Sequence, residues 1–188
     1  MRVDLWLHPA GGKAAIPVHY NHILQGMIYH HLENALAQRI HQQGWSDGQR
    51  HLRFFVFSRL RGAFRRAGGQ LVFTGPMALS IASPLDELLE SLVTQLLRVR
   101  TLSVGEARLE LGSVEVLMPP TYRRPVLLKA LSPITVYSTL EAPNGRKKTY
   151  YYAPQEPEFG RQVLENLRRK IRAWTGRTSR PRARPSGR

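Results

Sequence analysis

Apolar residues in the first 118 positions keep changing their spacing, and the order of those changes leaves few folds open. Val3, Leu5 and Leu7 alternate with Arg2, Asp4, Trp6 and His8, a strand pattern of period two. From Tyr20 to Ile40 the spacing becomes three and four. Tyr20, Ile23, Leu24, Met27, Ile28, Leu32, Ala35, Leu36 and Ile40 make one apolar face of a helical segment that reaches His41, and Gly44 stops it. Strand-like runs return at Phe54–Leu60, then at Gln70–Phe73 and Met77–Ala82 around Gly75-Pro76. Ser83-Pro84 starts a second helix, with Ser83 as cap, Pro84 in the first position and Asp86 and Glu87 in the first turn. Leu85, Leu88, Leu89, Leu92, Val93, Leu96 and Leu97 are its buried stripe. Leu109 to Leu117 alternates once more.

The order is β-α-β-β-α-β, which predicts an α+β chain with a ferredoxin-like first domain over residues 1–120. Pro119-Pro120 breaks the chain and marks a boundary. A second unit, residues 121–174, begins with extended runs at Val126–Leu131 and Ile134–Leu140. Asn144-Gly145 signals a hairpin turn, because such turns need positive φ at both positions. Arg146-Lys147-Lys148 and Tyr150-Tyr151-Tyr152 follow on the return strand. Phe159, Val163, Leu164, Leu167, Ile171 and Trp174 share one face of a last helix. Those elements make only part of a second ferredoxin-like domain. Residues 175–188 hold five arginines, no acid and one apolar residue, Ala183, so they are expected to be a disordered basic tail.

Charge narrows the partner. The 188 residues carry 28 Lys and Arg against 13 Asp and Glu, a formal net charge of +15. Setting the tail aside still leaves +10 on the first 174 residues. A field of that sign attracts polyanions, either nucleic acid or an anionic membrane surface. No apolar run reaches the roughly 18 residues of a membrane span, and Met1-Arg2-Val3-Asp4 is unlike a signal peptide. The expected partner is therefore nucleic acid and the expected compartment the cytoplasm. The chain has no cysteine, which removes disulfides and thiolate metal sites.

Candidate chemistry concentrates between Pro17 and Ser58. His19 and His22 lie three apart and His30 and His31 are adjacent, but adjacent helical positions point about 100° apart and cannot both face one ion. No metal or other cofactor is expected. His41 sits at a helix end, where the dipole favours a protonated ring, while Arg39, Arg50 and Arg53 oppose it. From pattern alone, a solvated helix-terminal histidine without chemistry is the favoured reading. Arg59, Arg61, Arg65 and Arg66 alternate with Leu60 and Phe64 and could track a phosphate backbone, or form a solvated strand-to-turn face. Arg146, Lys147 and Lys148 beside three tyrosines combine cations with stackable rings, a combination suited to single-stranded RNA. Tyr150 and Tyr152 could equally pack on the last helix.

Motifs then suggest a family. Pro17-x-x-Tyr20-Asn21, Leu24-Gln25-Gly26-x-Ile28-Tyr29, His41-Gln-Gln-Gly44 and Arg53-Phe-Phe-Val-Phe-Ser58 resemble the N-terminal half of the CRISPR repeat-processing endoribonucleases. These are RNA-binding proteins built from tandem ferredoxin-like domains. Leu131-Ser132-Pro133-Ile134 and Asn166-Leu167-Arg168-Arg169-Lys170 resemble their second-domain motifs. The resemblance implies metal-independent cleavage of precursor CRISPR RNA within its repeats, by attack of a ribose 2′-hydroxyl on the neighbouring phosphate. It implies His41 as general acid or base, Tyr29 as an assisting residue and Arg53 at a position where many members carry a lysine, with Arg50 as the fallback. Repeat RNA is the implied partner, with other CRISPR subunits and a second copy of the chain as further candidates. A repeat-RNA-binding subunit without activity and a generic basic nucleic-acid module are the competing readings.

Geometry sets one condition. Tyr29 and His41 are 12 residues apart. In one straight helix they would stand about 18 Å apart, too far for a shared phosphate. A joint site needs a break near Glu33-Asn34, with Asn34 capping a short helix at 35–42. Past Trp174 the resemblance gives way to the Arg/Pro/Ser/Gly tail, and the expectation is a truncated or frame-shifted product lacking a Gly-rich RNA-holding loop.

Overall fold

The computed structural model describes residues 1–40, 45–46, 51–52, 54–123, 125–130, 132–141 and 145–176. Its elements run β1 (Arg2–Pro9), β2 (Ala14–Pro17), α1 (Asn21–His30), α2 (Asn34–Gln38), β3 (Trp45–Ser46), β4 (His51–Leu52), β5 (Val56–Phe57), β6 (Phe64–Ala67), β7 (Gln70–Phe73), β8 (Met77–Ala82), α3 (Asp86–Val99), β9 (Thr101–Val104), β10 (Ala107–Leu117), β11 (Tyr137–Glu141), β12 (Lys147–Tyr151) and α4 (Pro157–Thr175). The chain divides into two compact units, one of residues 1–44 and 53–121, the other of 45–52 and 122–188.

The first unit is built on a five-stranded sheet ordered β5-β8-β1-β10-β9, antiparallel throughout. Stripped of β9, its path is strand, helix, strand, strand, helix, strand, with the first strand between the third and fourth. That is the ferredoxin-like arrangement the apolar spacing predicts. Period two explains the sheet's two faces. Val3, Leu5 and Leu7 are fully buried, while Trp6 between them is 43% exposed. α3 contributes the stripe Leu88, Leu89, Leu92 and Leu96, all at 0% exposure, and packs on β9 and β10. Each such side chain stabilises the fold by about 1.5–3 kcal/mol. Along β1 the partner of Trp6 is Ser113 and that of Leu7 is Leu111, so Gly112 is an extra residue in β10. A Cβ there would come within 2.7 Å of the His8 ring, so glycine suits this bulge.

Three features depart from expectation. First, Gln70–Phe73 and Met77–Ala82 belong to different sheets. β7 joins β2 and β6 in a three-stranded sheet ordered β2-β7-β6, and β8 joins the main one. Pro76 between them has no amide to donate, so one ladder cannot run through both. Second, only Val56–Phe57 of the run 54–60 is regular strand. Beyond it Ser58 pairs with Ser80 and Arg61 with Ala78, which leaves one extra residue on the outer strand. Third, Ser83 does not cap α3. The N-cap is Leu85, and Ser83 Oγ instead accepts the Leu85 amide at 3.0 Å and donates to the Phe54 carbonyl at 2.6 Å. β9 is an addition to the expected order, its four residues being too short to show a period.

Gly62 ends the irregular stretch after β5 where backbones nearly touch. A Cβ on it would sit 2.8 Å from the Pro76 carbonyl oxygen. Gly62→Ala is expected to destabilise the chain by about 1–3 kcal/mol, as overpacking does. Urea unfolding would show it as a lower midpoint, and an unchanged midpoint would count against this close approach.

The second unit is sparse. β11 and β12 pair from Tyr137↔Tyr151 to Glu141↔Lys147, with Gly145 at positive φ just before β12, and Asn144 of the expected turn lies outside the described residues. α4 is tied to it by Gln162 Nε2 donating to Ser138 Oγ at 3.0 Å. α4 buries no residue fully, and Leu164, Leu167, Ile171 and Trp174 stay 38–52% exposed on it. The strand expected from Val126 does not form over 125–130, where Leu127 is 98% exposed. Residues 177–188, most of the expected tail, lie outside the described residues.

Candidate RNA-processing site

The break between Tyr29 and the end of the helical segment is present. α1 stops at His30, His31–Glu33 are non-helical, and α2 restarts at Asn34. Local chemistry explains the stop. The His31 amide still reaches the carbonyls of Met27 and Ile28, and its buried ring holds the Met27 carbonyl through Nδ1 at 2.9 Å. Glu33 is extended, with ψ 136°, and its amide donates to Ser91 Oγ on α3 at 2.9 Å. Glu33, not Asn34, is therefore the N-cap, and it makes no side-chain cap. An ion pair between Arg39 and Glu87 ties the far end of α2 to the same helix. α2 is thus held on α3 at both ends, independently of the direction of α1.

α1 is aligned on the strand that follows residue 53. The Leu60 amide donates to the Tyr20 hydroxyl at 3.0 Å. At the other end the Tyr29 ring meets Phe55 edge to face, centroids 5.6 Å apart. The lengths match. Nine helical residues from Tyr20 to Tyr29 rise about 13.5 Å, and five extended residues from Leu60 to Phe55 span about 16.5 Å. Phe55 stacks in turn on Phe57, with centroids at 6.5 Å. Phe55 is the residue that pattern reading missed, since a run of four apolar residues hides which of them faces a tyrosine. His41, Arg50 and Arg53 lie outside the described residues.

The remaining candidates separate by their partners. Arg61 is engaged, with Nη2 at 2.9 Å from Ser80 Oγ and 3.4 Å from Asp4 Oδ2. It neutralises a carboxylate that also meets Arg2 at 3.4 Å. Arg59, Arg65 and Arg66 are exposed and meet no carboxylate among the described residues.

In the second unit, Lys147 stands opposite Glu141 and Lys148 opposite Leu140 on the exposed hairpin, with Arg146 just before them. Tyr150 and Tyr152 meet edge to face at 5.0 Å, and the Tyr150 hydroxyl donates to Glu156 at 2.8 Å. That hydrogen bond to a carboxylate pushes the Tyr150 pKa up. On α4, a hydrogen bond from Arg169 holds Glu165 below the usual carboxylate range. A cleft of about 570 Å³ between β11 and α4 is lined by Val136, Ser138, Arg161, Gln162 and Arg169.

Comparison with known proteins agrees with this architecture. Residues 117–186 match the family described as CRISPR associated protein Cas6, C-terminal. Over 179 residues the chain is 29% identical to CRISPR-associated endoribonuclease Cas6 1 of Methanocaldococcus jannaschii, covering 93% of this chain and 66% of that relative, so it spans slightly less than two thirds of the curated protein. A solved structure described as CRISPR associated protein Cas6 superposes with TM-score 0.67 at 28% identity, over 95% of this chain and 73% of the other. Two more distant structures share the fold. One, titled an RAMP protein binding different RNA substrates, gives TM-score 0.71 at 17% identity, over 96% and 74% of the two chains. The other, a Cas6-related gene product from Pyrococcus furiosus, gives 0.73 at 19%, over 94% and 71%. With its ferredoxin-like first unit, the chain is similar to Cas6 proteins along nearly its whole length, and its C-terminal stretch fits the Cas6 C-terminal model.

Proposed function

We propose that this chain is an endoribonuclease that cuts precursor CRISPR RNA within its repeats. The observation that carries this reading is the pair of constraints around Tyr29. The helical segment breaks directly after it, and its ring rests on Phe55, two residues from Arg53. His41 follows Ile40, which is buried at 1% exposure in the first unit's core. The break thereby removes the separation that a straight helix would impose between Tyr29 and the far end of the segment. The name of the Methanocaldococcus relative, an endoribonuclease, supports the same activity.

The chemistry needs three roles. A base takes the proton of a ribose 2′-hydroxyl, the 2′ oxygen bonds to the adjacent phosphorus, and the bond from phosphorus to the 5′ oxygen breaks. That oxygen leaves with a proton from an acid, giving a 2′,3′-cyclic phosphate and a 5′-hydroxyl. An imidazole can serve as base or acid near neutral pH. A guanidinium at Arg53, or at Arg50, would stabilise charge developing on the phosphate, with a planar fork in place of the point-like ammonium of lysine. Arg59, Arg65 and Arg66 in the first unit and Arg146, Lys147 and Lys148 in the second would bind the backbone, with Arg61 already committed to Asp4.

The direct test is repeat RNA incubated with the full chain in excess chelator. Cleavage at one position within each repeat, leaving a cyclic phosphate, is the expected result. Tight binding without a cut would favour a subunit that holds repeat RNA. Equal affinity for repeat and random RNA would leave only a generic nucleic-acid module.

A further inference from the structure

The three-stranded sheet β2-β7-β6 contains no acid, nor do the segments around it. No Asp or Glu occurs at residues 5–32 or 48–85, which supply all of β2, β6 and β7. β6 is its edge strand and carries Phe64, Arg65 and Arg66. Both arginines are exposed without a carboxylate partner among the described residues. Phe64 is opposite Phe73, their centroids 5.4 Å apart and their planes inclined at 51°. Phe73 is fully buried, yet Phe64 is 47% exposed. The inner side of the Phe64 ring is therefore supported by the core while much of the ring is open. Arg66 lies two residues along on the same side of the strand, about 6.6 Å away, and Arg65 points to the other side.

A supported aromatic ring with a free cation one step along the strand suits one unit of single-stranded RNA. The base stacks on the ring and the phosphate meets the guanidinium, and stacking tolerates any base because each has a π-face. We infer that Phe64 is a base-stacking residue for single-stranded RNA, with Arg66 on the adjacent phosphate. This rests on the RNA-binding reading above and adds a contact to it. Edge protection against strand pairing would explain the two arginines but not the open aromatic ring between them and the core.

The test uses the full chain, a fluorescent unstructured oligoribonucleotide and anisotropy titrations over a range of salt. Phe64→Leu keeps apolar contact with Phe73 and removes the aromatic plane. It is expected to weaken binding by about tenfold without changing the salt slope, while Phe64→Trp keeps or improves affinity. Arg66→Gln is expected to lower the slope of log affinity against log salt by roughly 0.7, one single-strand phosphate contact. Thermal melts of the same samples identify any variant that is merely misfolded. Wild-type affinity in a folded Phe64→Leu variant would overturn the stacking role. A wild-type chain that binds no RNA would overturn the RNA reading together with it.

Discussion

Replacing His41 with Ala is expected to lower the rate of repeat-RNA cleavage by about 10²–10⁴-fold, the usual contribution of a positioned general acid or base. The dissociation constant for the same RNA should stay within a factor of two, because the residues proposed to bind it are guanidinium and ammonium groups spread over both units. The loss is expected to be large because a ribose hydroxyl is a poor nucleophile until its proton is taken. With no base in place, bound RNA would sit correctly oriented and react slowly. Single-turnover assays with enzyme in excess separate the two quantities, since they remove product release from the rate. A variant that cleaves at the wild-type rate would move the catalytic role away from His41. A variant that binds more weakly but cleaves bound RNA at the wild-type rate would give His41 a binding role instead, because loss of uniform binding lowers affinity and leaves the saturated rate unchanged.

Much of the first unit can be read from periodicity, and its exceptions have physical causes. Val3, Leu5, Leu7 and the α3 residues Leu88, Leu89, Leu92 and Leu96 are core because each spacing puts them on one side of their element, and the structure buries them, whereas Leu97, expected on the same stripe, is 48% exposed. The helix break was derivable from a chemical requirement, the distance between Tyr29 and His41, more than from the residues at 31–33. Its capping was not derivable. Asn34 is the better intrinsic cap, but the Glu33 amide donates a tertiary hydrogen bond to Ser91 Oγ on α3, which no local pattern encodes. The same holds for Ser83, whose hydroxyl serves the Phe54 carbonyl as well as Leu85. The second sheet escaped for a different reason. β2, β6 and β7 have four residues each, too few to reveal a period, and Pro76 is the only local sign that β7 and β8 part. Of the site residues, Tyr29 could be tied to a neighbour, Phe55, only through the fold. Likewise Arg61 reads in the sequence like Arg59, Arg65 and Arg66, and only its pairing with Asp4 sets it apart.

Phe73→Ala is expected to be the most damaging single truncation in the second sheet. Phe73 is fully buried, lies opposite Ala14 on β2 and Phe64 on β6, and so joins both outer strands of that sheet to the core. Removing a buried phenyl costs about 3–5 kcal/mol, a transfer loss plus the cavity left behind. Against a total stability on the order of 5–15 kcal/mol, that is a large fraction. The melting temperature should fall by roughly 10–15 °C in a chain of this length. Phe73→Leu, which refills most of the volume, should lose less than half as much. A fall of under about 2 °C in the alanine variant, well below that scale, would mean the second sheet is not joined to the cooperative core. The comparison with Phe64 then separates two kinds of phenylalanine that face each other across one strand pair. At Phe73 loss of the ring acts on folding first and on RNA only through folding. At Phe64 the ring is half open, so its loss should act on RNA at nearly unchanged stability.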